Sequence, residues 1–149
     1  MLRRFAVVVL LIAVSSAGFA GAALGAPTDL SAAFLTGAKE VPGPGDDNGV
    51  GTAVVSPRPG NGTVCVAIRY VLIEPPTAAH IHLGPTTEAG GVVVDLVPLI
   101  ATSPPGQING CVAADPALAE NIAVNPSDYY VNVHNVPFPG GAIRGQLRG

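Results

Sequence analysis

The chain has 149 residues, a formal net charge of −3, and only 5% aromatic and 11% charged residues. Beyond the N-terminus its cations, Lys39, Arg58, Arg69, Arg144 and Arg148, are scattered, which excludes the basic stripe that a nucleic-acid binder needs. With 19 glycines and 15 prolines, the composition favours short strands and tight turns over a helical bundle.

Arg3 and Arg4 precede an apolar run from Phe5 to Val14, and small residues fill Ser15 to Ala26. This order is that of a secretory signal peptide over residues 1–26, which leaves one domain over 27–149. The apolar run is too short to span a membrane and no later stretch approaches the roughly 20 residues required. The expectation is a secreted or periplasmic protein with no membrane span after cleavage. Export also places Cys65 and Cys111 where disulfides persist, and two cysteines pair in just one way.

Leu30 to Thr36 predicts a first strand, with Leu30, Ala32 and Phe34 in one register, and Gly37 to Gly49 predicts a loop. Asp46 and Asp47 in that loop offer too few oxygen ligands for a calcium site. Val50 to Ser56 and Thr63 to Leu72 flank Asn61-Gly62 and predict an antiparallel hairpin, because both turn residues tolerate positive φ. In its second strand Val64, Val66, Ile68 and Tyr70 face the core. Asn61-Gly62-Thr63 also fits a glycosylation acceptor, although the turn explains Asn61 by itself.

Thr77 to Gly84 is the next strand. Side chains alternate along an extended chain, so His80 and His82 share one face while Ile81 and Leu83 share the other. Val92 to Leu96 predicts a strand buried on both faces or bulged, and Asn109 to Ala113 a short strand centred on Cys111. Asp115 as N-cap, with Pro116 at the first helical position, predicts one short helix over the following residues. Tyr129 to Asn135, which carries His134, and Ala142 to Leu147 complete the set. About eight short strands with turns between them predict an all-β fold, an antiparallel Greek-key β-sandwich or barrel.

Four stretches together resemble a known family. They are Phe34-Leu35-Thr36-Gly37-Ala38-Lys39-Glu40-Val41-Pro42, Ala79-His80-Ile81-His82-Leu83-Gly84, Tyr129-Tyr130-Val131-Asn132-Val133-His134-Asn135 and Gly140-Gly141-Ala142-Ile143-Arg144-Gly145-Gln146-Leu147. In this order they are similar to the chordin-type, or CHRD, domain. The resemblance covers nearly the whole mature chain and implies a β-sandwich with no established enzymatic activity. The His-x-His layout with its Gly-rich ending is also similar to half of copper-zinc superoxide dismutase. Three histidines leave no counterpart for the fourth copper ligand of that enzyme, so dismutase activity is not expected.

Three imidazoles, His80, His82 and His134, suit Cu or Zn if their strands are neighbours. The alternative is that His80 and His82 hydrogen-bond to turn backbone and to Asn132 or Tyr130, fixing one end of the sandwich. Arg144 reads either as the holder of a small anion or, more readily, as the partner of Glu88 or Asp95 in a structural ion pair. Gly140, Gly141 and Gly145 suggest a tight turn followed by a close approach. No serine has a nucleophile elbow around it and no acid-base pair stands out, so the expected function is a non-enzymatic binding module for a protein, glycan or small ligand.

Overall fold

The structure, a computed structural model, describes residues 30–149, so the expected signal peptide lies outside the described residues. Eight antiparallel strands form one sheet: β1 (Ser31–Thr36), β2 (Val50–Arg58), β3 (Thr63–Val71), β4 (Pro76–Leu83), β5 (Gly91–Asp95), β6 (Gln107–Ala113), β7 (Tyr129–Asn135) and β8 (Ile143–Gln146). Their spatial order is β5-β4-β7-β8-β1-β2-β3-β6. The sheet curls into a nearly closed barrel, as the strand pattern predicts. The pairings of β4 with β7, β8 with β1 and β3 with β6 join strands distant in sequence, and the connections between them cross over as in Greek keys.

Two helices complete the fold. The one-turn α1 (Val97–Ile100) runs from β5 toward β6 and packs against both β6 and β4. The longer α2 (Pro116–Val124) is the helix foreseen after Asp115, whose Oδ1 accepts the backbone N–H of Ala117 at 2.7 Å and of Leu118 at 3.3 Å. Among the described residues no helix is long and apolar enough to cross a membrane.

Inside the barrel lie Leu35, Ala53, Val55, Val64, Ile68, Ile81, Ile108, Val131, Val133, Ile143 and Leu147, with Ala119 and Ile122 of α2 against them. The β3 alternation is as expected, since Val64, Val66 and Ile68 are buried. In β1 the opposite register turns inward: Ala33 and Leu35 are buried, while Phe34 is 57% exposed. The pairing with β2 sets Ala33 opposite Ala53 and Leu35 opposite Gly51, and on the outer side the Lys39 ammonium lies 5.1 Å from the centroid of the Phe34 ring while Lys39 Nζ donates to the Phe34 carbonyl. Leu83, expected on the core face, is also half exposed because β4 ends there.

Hairpin pairing of β2 and β3 holds, from Arg58 opposite Thr63 to Val50 opposite Val71. Only Gly62 takes the left-handed conformation, at φ 60°, while Asn61 closes a 3₁₀ turn, Pro59–Asn61. At the edge, β5 is bulged as one reading of its valine run foresaw: Ile81 faces Val94 and His82 faces Val92, leaving Val93 extra. Cys65 and Cys111 stand opposite each other on β3 and β6 and are joined by a disulfide.

Candidate functional site

The polar outer face of β4, β7 and β8 carries the chemistry. Asn132 of β7 faces His80 on one side and Arg144 on the other, while Tyr130 faces His82 and Gln146. Side chains that alternate outward on three adjacent strands therefore meet on one surface. That surface is far from solvated: Tyr130, Asn132, His82 and Arg144 are all buried.

The three histidines converge, each contributing one ring nitrogen to a set within 4.8 Å of one another. His134 Nδ1 donates to the Pro139 carbonyl at 3.0 Å, so Nε2 of the neutral ring is an acceptor. His80 Nδ1, 3.1 Å from that nitrogen, is then the donor, and His80 Nε2 faces Asp95 Oδ1 at 3.9 Å. His82 Nδ1 donates to the Gly90 carbonyl at 2.9 Å, and its Nε2 lies 3.0 Å from Asn132 Oδ1. A neutral His82 thus sets a lone pair against an amide oxygen, which is relieved when the amide turns or a cation stands between them. Tyr130 stacks on His82 with ring centroids 4.7 Å apart and planes 6° from parallel.

Burial and the neighbouring histidines hold His80 below the ordinary imidazole value against the opposing pull of Asp95. Burial, with a smaller contribution from His82, does the same to His134 against its bond to Pro139. Both rings are therefore favoured in the neutral form that ligates a metal.

Arg144 corrects one expectation. Neither Glu88 nor Asp95 pairs with it; Asp95 sits beside His80, and Glu88 is exposed in the loop after β4. That loop presents the Pro85 carbonyl instead, which accepts from Arg144 Nη2 at 2.7 Å, and the guanidinium carbon lies 3.4 Å from the centroid of the Tyr130 ring. His82, Tyr130 and Arg144 thus form a chain of stacked contacts.

Glu40 is a further polar residue of this region, with no local sign of its burial in the sequence. It is buried, and desolvation raises its carboxyl to about 7 although the Arg144 charge and a backbone hydrogen bond at Val41 pull the other way. A Cβ on Gly141, whose φ is 140°, would overlap the Glu40 carboxyl, so the second glycine of Gly-Gly-Ala-Ile-Arg-Gly makes room for this side chain. A Cβ on Gly145 would lie 2.5 Å from the Phe34 carbonyl oxygen, the expected close approach of β8 to β1. Gly140 has open space around it.

The sign of the resulting pH dependence is fixed. A carboxyl with its folded value raised to about 7 contributes stability that is complete below about 4.5 and lost as pH rises through about 7. The two histidines act oppositely: lowered from 6.5, they contribute stability present above that value and lost as pH falls. Calorimetric melting of Glu40→Gln from pH 5 to 8 should therefore lack the loss that the parent shows on the alkaline side, while keeping the acid-side loss.

An antiparallel barrel stapled by a disulfide, with His82, Asn132 and Arg144 buried on one outer face, defines an all-β domain. The chain belongs to the CHRD domain family, which it matches over residues 31–147. No curated protein and no solved structure matches it, and the likeness of its histidine layout to copper-zinc superoxide dismutase finds no support. Family and disulfide are both consistent with an extracellular protein.

Proposed function

We propose that the chain is a non-enzymatic, exported binding module whose working centre is a mononuclear zinc or copper site on His80, His82 and His134. The observation that carries this reading is the arrangement of the outward ring nitrogens. His134 Nδ1 is held by the Pro139 carbonyl and His82 Nδ1 by the Gly90 carbonyl, while His80 Nε2 faces Asp95. Backbone carbonyls and carboxylates in these positions orient metal-ligating histidines and fix their tautomers. His134 Nε2 and His82 Nε2 are thereby left for a metal, and His80 Nδ1 joins them once its proton passes to Nε2, on the side that faces Asp95. Two nitrogens on one tetrahedral ion at roughly 2.0–2.1 Å stand about 3.3 Å apart, and His80 Nδ1 and His134 Nε2 are 3.1 Å apart. Binding exchanges the His80–His134 hydrogen bond and the His82–Asn132 contact for metal bonds.

A second reading rests on those same two contacts, which tie β4 to β7 without a metal and make the cluster a structural clasp. Thermal melting separates the two. Chelator-stripped protein with free Zn(II) at about 100 times its dissociation constant should gain roughly 2.7 kcal/mol of stability, and excess chelator should reverse the gain. A melting temperature indifferent to Zn(II) and Cu(II) supports the clasp.

A further inference from the structure

We propose that the cleft between β1, β8 and the 3₁₀ turn Gly37–Lys39 binds a small hydroxylated carboxylate, its carboxylate on Arg144 and its hydroxyl groups on Glu40 and Gln146. This cavity of about 330 Å³ has an apolar wall that includes Ala33, Phe34 and Val41, and lies at the small end of the range for small-molecule sites. Three of its lining side chains carry buried polar atoms with no hydrogen-bond partner among the described residues: Arg144 Nη1, Glu40 Oε1 and Gln146 Oε1. Buried polar groups are ordinarily paired, so one donor and two acceptors without partners on residues that line a single cavity point to a polar ligand there.

Each of the three groups is held in place by its other contacts. Arg144 is 1% exposed, anchored by the Pro85 carbonyl and the Tyr130 ring, which leaves Nη1 as its open donor. Gln146 Nε2 donates to the carbonyls of Gly84 at 2.9 Å and Ser127 at 2.7 Å, so its oxygen turns the other way. Glu40, 6% exposed, occupies the space that Gly141 and Gly45 leave open. The site is therefore organised before the ligand arrives, which lowers the cost of binding.

Charge selects the class of ligand. Lys39 and Arg148 at the cleft add positive charge to that of Arg144, which favours an anion. Glu40 beside them disfavours a dianion such as sulfate, and its open oxygen requires a donor on the ligand, which sulfate lacks. A carboxylate with neighbouring hydroxyls meets both conditions, from a simple 2-hydroxy acid to a uronic acid. The charged group facing Glu40 from β8 is Arg144, with Lys39 adjacent in the chain and Arg148 at the C-terminal end. Because desolvation raises Glu40 to about 7, the carboxylate should bind more tightly at pH 6 than at pH 8, where two negative charges would share the cleft.

Isothermal titration of the purified protein with lactate and glucuronate tests this, with glucose and inorganic sulfate as comparisons. At least one of the two carboxylates should bind at one site per chain at pH 6, and both comparison compounds should bind about tenfold more weakly or not at all. Arg144→Lys should weaken binding by about tenfold or more, the order expected for one charge-assisted hydrogen bond. Glu40→Gln provides a variant that need not disturb the Arg144 stack and should abolish the difference between pH 6 and pH 8. Failure of both carboxylates to bind, equal binding of glucose, preferential binding of sulfate, or an unchanged pH dependence in Glu40→Gln would each overturn the proposal. Failure of the histidine site to take metal would leave it untouched, since none of the three histidines lines this cleft.

Discussion

Replacing His80 or His134 by Ala should lower Zn(II) affinity by at least about 100-fold, beyond the roughly 10–100-fold seen when only a supporting group is lost. Each substitution removes a nitrogen from the 3.1 Å pair, and two imidazoles do not hold the ion as three do. His82→Ala should have a comparable effect on metal affinity and a larger one on stability, because the ring is buried, stacked on Tyr130 and bonded to Gly90. The clasp reading makes a different forecast: all three variants lose stability in proportion to their lost contacts, with no metal affinity to lose. Competition titration against a chromogenic chelator, with melting measured in parallel, distinguishes the two patterns.

Removing the Cys65–Cys111 bridge by a double Cys→Ser substitution should cost roughly 4 kcal/mol by the chain-entropy relation, given the sequence separation of 46. For a domain of this size the melting temperature should fall by about 10–20 °C. The bridge joins β6, one of the two edge strands, to β3, so the loosening should begin at that edge. Hydrogen exchange should show β6 losing protection before β7, which lies within the sheet between β4 and β8. Equal melting of oxidised protein and the double variant would assign the bridge no stabilising part.

What the sequence made legible follows from short-range rules. Alternation along an extended strand put His80 and His82 on one face, and the Asp115-Pro116 pair announced the start of α2. Two cysteines left one pairing. Convergence of His134 with them depended on β4 pairing with β7, a contact between strands more than 40 residues apart, and no local pattern encodes that register. Arg144 shows the limit from the other side: a cation in a terminal strand implies an acceptor, but the path of the loop after Gly84 decides that Pro85 supplies it and Glu88 does not. Glu40 belongs to the first of the four family stretches but gave no local sign of burial. A glutamate between Lys39 and Val41 reads as a solvated loop residue, and only the folded β8, with Gly141 beneath it, turns it into a buried carboxyl. The inward register of β1 was equally hidden, since Phe34 competes with Ala33 and Leu35 for the core and the pairing with β2 decides between them.

The most direct measurement is metal content of the protein exported with its disulfide formed and purified without tag or chelator, followed by titration with Zn(II) and Cu(II). The metal-centre account predicts one equivalent of ion per chain, retained through gel filtration and lost in His80→Ala and His134→Ala. An empty protein that takes up neither ion would contradict it and leave the histidines as a clasp between β4 and β7.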